Sequence, residues 1–244
     1  HLCDRRQRQM CIRDRYGACS TSGEALALAS MSVAAGYGER MLAVTSSHFG
    51  SAEKEFRFPL GYANQRPLSA HWTVTGSGAF IVGKNRSHVR ITGVTVGKIV
   101  DYGLKDSQNM GACMAPAACD TIIQNLEDFE RKETDYDRII TGDLGYVGQS
   151  ILFDLMRGKE HDIKINHMDC GMTIFDQNLQ DTHAGGSGCG CAAATLSAYI
   201  LPKISRGEWK RVLFVPTGAL MSTVSYNEGA SVPGIAHGIV LEHC

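Results

Sequence analysis

No apolar run in this chain of 244 residues is long enough to cross a bilayer; the longest, within Ala25 to Gly36, is about a dozen residues. No apolar core followed by a small-residue cleavage site reads as a secretory signal. An excess of either charge is also missing. The 24 Lys and Arg face 25 Asp and Glu, a formal net charge of -1, which gives nucleic acid or an anionic membrane no electrostatic hold. Nine cysteines are an odd number, scattered through a chain too large to need staples, so a reducing compartment is expected rather than a disulfide framework. No dense carboxylate loop of the calcium-binding kind appears. Cys189-Gly190-Cys191 with His161, His167 and Cys170 lacks the second ligand pair that a zinc centre needs, so no metal ligand and no cofactor is assigned. What is present is ordinary globular composition, 43% hydrophobic and 20% charged, enough for one large or two small domains.

Residues 1–15 differ from the rest, with five arginines, two aspartates and no periodicity. Without them the remainder carries -4, from 19 Lys and Arg against 23 Asp and Glu. We read them as an extraneous leader in preference to a basic arm for a polyanion, and exclude them from fold reasoning.

The chain is organised around Tyr16 to Gly36, a tight small-residue turn followed by a helix that is apolar on nearly every side. Such a helix belongs inside a protein. Thr21 and Glu24 have the spacing of a capping box, and Gly36 is the expected stop. Cys19 sits just before the helix, where the dipole favours a thiolate. It is a nucleophile, part of an anion pocket, or a small buried hydrophobe.

Further on, Arg40 to Thr45 reads as a buried strand with Ser46, Ser47 and His48 at its carboxyl end, where α/β sheets place ligand-binding residues. A loop runs from Phe49 to Ala70, with Phe56, Arg57, Phe58 and Arg66 available for contacts or anion steering. Trp72 to Val82 is a strand interrupted by Gly76-Ser77-Gly78, where glycine permits close backbone approach. Val89 to Val100 is β-rich, and Gln108 to Glu130 is a helix broken or started near Pro116. Arg138 to Thr141 is a strand ending in Gly142-Asp143, followed by a helix to Arg157 with Gly158 as its stop. Asp162 to Thr173 returns to strand. Asp181 to Gly188 is a glycine-rich loop, Cys189 to Ile204 an apolar helix, and Arg211 to Pro216 and Gly234 to Glu242 complete the sheet. The order around Cys19 repeats around His183. Arg40 to Thr45 matches Arg211 to Pro216, and Val74 to Val82 echoes Val232 to Val240. Two such halves are expected to bring two buried helix N-termini, Cys19 from one and His183 from the other, towards a single site.

Tyr16-Gly-Ala-Cys-Ser-Thr21, Thr45-Ser-Ser-His-Phe49, Asn64-Gln-Arg-Pro67, Trp72-Thr-Val-Thr-Gly-Ser-Gly78, Thr141-Gly-Asp-Leu-Gly145, Thr182-His-Ala-Gly-Gly-Ser-Gly-Cys-Gly190, Val215-Pro-Thr-Gly-Ala-Leu-Met-Ser222 and Pro233-Gly-Ile-Ala-His237 resemble the thiolase-like superfamily. Within it the pattern is similar to the stage V sporulation protein AD family. The resemblance implies a layered α/β fold with pseudo-two-fold duplicated halves. Residues 16–87 would be the remainder of the N-terminal half, with an earlier portion expected to be missing, and 88–244 the C-terminal half. It implies a dipicolinic-acid-binding component of a spore membrane channel system, at the inner membrane of the developing spore. Its partners would be dipicolinic acid, with calcium accompanying it, membrane proteins of the same system, and a second copy in a homodimer.

In thiolase-like enzymes the residue matching Cys19 carries the acyl group and the residue matching His183 lies in the glycine-rich loop. The alternative is therefore an acyltransferase of ketoacyl-synthase type with Cys19 and His183 catalytic. Two departures speak against it. Asp143 stands where those enzymes carry a histidine or an asparagine, which disturbs oxyanion stabilisation, and Ser231 to His237 holds no second cysteine. The ligand-binding residues read from the sequence are Cys19, Ser46, Ser47, His48, Asp143, His183 and Ser187. Ser187 is expected rather to cap the second helix, and Asp143 rather to be a solvated loop residue.

Overall fold

The structure is a computed structural model that describes residues 17–52, 66–221 and 228–244. The leader, residues 1–15, and the loop positions Phe56, Arg57, Phe58, Asn64 and Gln65 lie outside the described residues.

A 3₁₀ turn, Ala18–Ser20, leads into helix α1, Thr21–Ala34. The capping box expected of Thr21 and Glu24 does not form. Ser20, the capping position, has helical backbone (φ -73°, ψ -7°) and no capping side-chain bond, whereas a capping residue needs extended backbone to aim its oxygen at the first amides. The hydroxyls of Ser20 and Thr21 instead donate back to the carbonyls of Gly17 and Ala18, each over 2.6 Å. Gly36 stops the helix as expected, at φ 81°. The helix is not buried all round: Leu28 and Met31 are exposed.

Strand β1, Arg40–Ser47, is followed by a one-turn helix α2, Phe49–Ala52, then β2, Trp72–Thr73, and β3, Gly76–Gly83. The second part contains β4, Val89–Thr95, helix α3, Met110–Asp128, β5, Arg138–Thr141, and α4, Gly145–Arg157, which ends at Gly158. Pro116 neither breaks nor starts α3. The helix begins at Asn109, whose side chain accepts the Ala112 N–H, and runs through the proline. A proline inside a helix costs about 3 kcal/mol, and the fully buried residues around it, Met114, Ala115, Ala117 and Ala118, offset that cost.

Asp162 to Thr173 yields only a short strand, β6, His167–Asp169. Asp169 then caps a single turn, α5, Cys170–Thr173, by accepting the Met172 N–H at 3.1 Å. After β7, Gly186–Ser187, the chain is helical through α6, Cys189–Thr195, a π-helical segment, Leu196–Ile200, and α7, Leu201–Ser205. Strands β8, Arg211–Val215, β9, Thr217–Ala219, β10, Gly234–Ala236, and β11, Gly238–His243, close the chain.

Five strands form one sheet in the order β4-β11-β8-β5-β6. β11 is antiparallel to both neighbours, and β8, β5 and β6 are parallel. Successive residues of β8 feed two cores: Leu213 and Val215 face α3 and α4, and Val212 and Phe214 face α1 and α6. The β1–β3 antiparallel pair covers the other side of α1 and α6. A short parallel pairing of β2 with β7 ties the two parts together.

The internal repeat is real, with one correction. Arg40 pairs with Gly83 as Arg211 pairs with Glu242, and Leu42 lies opposite Ile81 as Leu213 lies opposite Val240. The correspondence is therefore one residue out of step with the Val74–Val232 echo. A slip of one would turn every side chain to the other face, so burial decides the register.

Candidate functional site

The Cys19 turn is held by backbone packing. Ala18 adopts φ 47°, a conformation that costs a residue with a Cβ roughly 1 kcal/mol or more, and Cys19 follows it at 3% exposure. β9 lies directly on the turn: a Cβ on Gly218 would stand 2.4 Å from the Gly17 carbonyl. The second helix start arrives through the glycine-rich loop. Gly188, at φ 110°, leaves room for the Ser47 hydroxyl, which a Cβ there would meet at 2.6 Å.

Cys19 and Ser187 meet, with Sγ and Oγ 3.7 Å apart. Ser187 Oγ donates to Asp143 Oδ2 at 2.8 Å, and the Gly188 N–H donates to the same oxygen at 2.9 Å. Thr217 Oγ1 donates to Asp143 Oδ1 at 2.9 Å and accepts the Asp143 N–H at 3.2 Å. Ser187, Asp143 and Thr217 are all fully buried. Two expectations are corrected here. Asp143 is an interior residue rather than a solvated one, because four hydrogen bonds with three residues from two segments compensate its burial. Ser187 does not cap α6; Gly188 occupies the capping position and Asp143 takes the amide proton.

Behind this network lies a second buried carboxyl, Asp169. It accepts from Thr141 Oγ1 (2.6 Å), Leu144 N (2.9 Å), Gly145 N (3.2 Å) and Met172 N (3.1 Å). Burial pushes its pKa up to about 6, Asp143 adds to the rise, and the hydrogen bonds oppose it. His167 Nδ1 accepts from Gln149 Nε2 at 2.9 Å, so its proton is on Nε2 and is directed at Thr141 Oγ1, 3.1 Å away. Burial lowers the His167 pKa to about 3 and keeps the ring neutral. Asp169 thus anchors the turn that carries Asp143.

The other sequence-derived residues lie as follows. His183 has φ 49°, and its described hydrogen bond joins Nδ1 to the Pro67 carbonyl at 3.0 Å, with Asp181 Oδ1 3.4 Å from Nε2. Arg66 stacks over Trp72 at 4.1 Å and donates to the His71 carbonyl. Ser46 contributes its carbonyl, which accepts from the Cys189 thiol at 3.0 Å. Ser47 Oγ donates to the Val74 carbonyl and accepts the Gly190 N–H, so both serines pin the start of α6. His48 is exposed at the strand end. Thr217 and Asp169 were not singled out from the sequence. Thr217 did carry a signal, as a polar residue just beyond a buried strand. Asp169 carried less, a carboxylate between Met168 and Cys170.

Among the described residues, no group of three His, Cys, Asp or Glu is arranged to hold a metal ion, and no helix is long and apolar enough to cross a membrane.

The layers, the duplicated halves and the cysteine ahead of a buried helix define a thiolase-like fold. Solved structures share it at low identity. A tetronic acid condensing enzyme superposes with a TM-score of 0.58 at 14% identity, over 92% of this chain and 66% of that one. A 3-oxoacyl-(acyl carrier protein) synthase III from Pseudomonas aeruginosa PAO1 gives 0.56 at 10%, over 93% and 66%. A thiolase from Ascaris suum in complex with coenzyme A gives 0.55 at 9%, over 93% and 78%.

The sequence places the chain more narrowly. The family model for stage V sporulation protein AD matches residues 5–242. Stage V sporulation protein AD of Bacillus subtilis (strain 168) is 44% identical over 227 residues, which cover 93% of this chain and 67% of that protein. The chain belongs to the stage V sporulation protein AD family and spans about two thirds of the length of that relative and of two of the three enzymes compared.

Proposed function

We propose that the chain binds dipicolinic acid as the non-spanning component of a spore channel system, serving dipicolinate uptake into the developing endospore at its inner membrane. Membership of the family makes it a sporulation protein. The observation that carries the binding reading is the Cys19–Ser187–Asp143 chain. The thiol faces a hydroxyl whose proton is committed to a buried carboxylate. That arrangement suits a retained cleft better than acyl transfer, which needs a partner able to take the cysteine proton.

A pyridine dicarboxylate is a dianion, and Asp143 already occupies the Ser187 hydroxyl and the Gly188 amide. The reading places the ligand at the α1 N-terminus, where amides supply donors, and has His183 turn from the Pro67 carbonyl and Asp181 to donate to it. Calcium arrives with the ligand, the membrane partners are proteins of the same channel system, and the family protein is a homodimer.

Calorimetric titration of dipicolinate into the full-length family protein carrying these residues tests the reading. Saturable binding is expected, preserved in Cys19→Ala and weakened roughly tenfold in His183→Ala, the loss of one charge-assisted hydrogen bond. The left-handed Ala18 ahead of Cys19 favours the rival, a condensing enzyme. Absent binding together with acylation of Cys19 by an acyl thioester would establish that rival instead.

A further inference from the structure

The protons of the Cys19 network run one way. Ser187 has a single hydroxyl hydrogen and gives it to Asp143 Oδ2, so across the 3.7 Å contact the sulfur supplies the hydrogen and the serine oxygen accepts it. At Asp143 all three side-chain partners, Ser187, Gly188 and Thr217, are donors. The carboxyl acts purely as an acceptor there, as its ionised form does.

We propose that Asp143 is a positioning residue that keeps Cys19 a protonated thiol, acting through Ser187, and so withdraws the nucleophile from a condensing-enzyme scaffold. Two effects act together. The carboxylate, one hydroxyl away, opposes a second negative charge on the sulfur. It also turns the Ser187 proton away, so a thiolate would face the oxygen lone pairs. The α1 N-terminus pulls in the opposite direction, but a helix end amounts to about half a unit charge against the full charge of Asp143.

The surrounding groups reinforce the carboxylate. Asp169, from β6, adds a second buried carboxyl. Cys170 on α5 and Cys191 on α6 are thiols held well above their ordinary range, by burial first and then by neighbouring acidic groups that include Asp143. Glu24, in the first turn of α1, is raised by burial. Of the imidazoles, His167 is neutral and engaged with Thr141, His71 faces the Leu144 carbonyl, His183 is turned to the Pro67 carbonyl and Asp181, and His237, lowered by burial, accepts the Gly97 N–H. The proposal shares with the functional reading the view of Cys19 as a non-acylating residue. Its test reads the thiol itself, so a failure of dipicolinate binding leaves it standing.

The test follows alkylation of Cys19 by iodoacetamide across pH in the folded protein, by mass spectrometry of the Cys19 peptide. Exposed Cys244 in the same sample serves as the reference thiol. In the parent, the Cys19 midpoint is expected above that of Cys244. Asp143→Asn should lower the midpoint by at least about one unit and raise the neutral-pH rate about tenfold. An amide removes the charge and releases the Ser187 proton towards sulfur. Should Asp143→Asn fail to fold, Ser187→Ala, which deletes only the acceptor of the thiol proton, should move the midpoint the same way. A midpoint that stays or rises in the folded variant overturns the proposal.

Discussion

Asp169 and His167 sit three atoms of hydrogen-bond chain apart and answer acid in opposite directions. The Asp169 carboxyl titrates near 6 in the fold, above its ordinary 3.8, so the native state binds this proton more tightly and gains stability from it as pH falls through that window. Between about pH 7 and about pH 5 the gain is on the order of 1 kcal/mol. His167, lowered to about 3, does the reverse. Its neutral ring contributes stability that is lost once pH falls below the ordinary value of about 6.5. Asp169→Asn should therefore lose more stability than the parent on acidification over that range, and His167→Gln less, by thermal unfolding at each pH. Equal losses in all three proteins would mean that neither group titrates as placed. Cys19, Asp143 and Ser187 were legible in the sequence because small-residue and glycine-rich turns advertise them. Their wiring was not, since whether Ser187 bonds to ligand, helix or carboxylate depends on where Asp143 arrives in space.

At the level of elements, the close backbone approach expected at Gly76-Ser77-Gly78 is found at Gly78, but the expected interruption is not there: these residues lie within β3, and the strand breaks at Val74 and Thr75 instead. A Cβ on Gly78 would lie 2.7 Å from the Ala193 Cβ and 3.1 Å from its carbonyl, so β3 rides directly on α6. Gly78→Ala is expected to cost about 1–3 kcal/mol, the range for overpacking, read from the denaturant midpoint. A change near zero would show that α6 shifts freely. Strands such as Arg138–Thr141 were readable because apolar runs of that length between turns have few alternatives. The course of α3 through Pro116 was not, because local propensity argues for a break and only the buried surroundings reverse it. The slip in the hairpin echo has the same origin: residue similarity carries no face, whereas pairing assigns one.

For the molecule as a whole, the repeat exposes an asymmetry. Leu213, Val215 and Val240 are fully buried beneath α3 and α4. The positions that match them in the other hairpin, Leu42, Val44 and Ile81, are 65%, 53% and 76% exposed. A contiguous apolar sheet face of this kind drives association. This chain by itself should self-associate, and Leu42→Lys with Ile81→Lys should lower its mass in sedimentation velocity. An unchanged mass distribution would place the contact elsewhere. The duplicated architecture was visible in the sequence as a repeated order of elements. The unequal cover of its halves was not, because Leu42 and Leu213 are the same residue in similar strands.

The contact between Cys19 and Ser187 joins residues 168 positions apart, whereas Asp143, Ser187 and Thr217 are linked across 44 and 74. Loop-closure entropy grows with the logarithm of that separation, so the carboxylate and its two hydroxyls can assemble within the second half alone. The cysteine reaches them only when the two halves dock. Shielding of the Cys19 thiol is therefore expected to report that the two halves have docked.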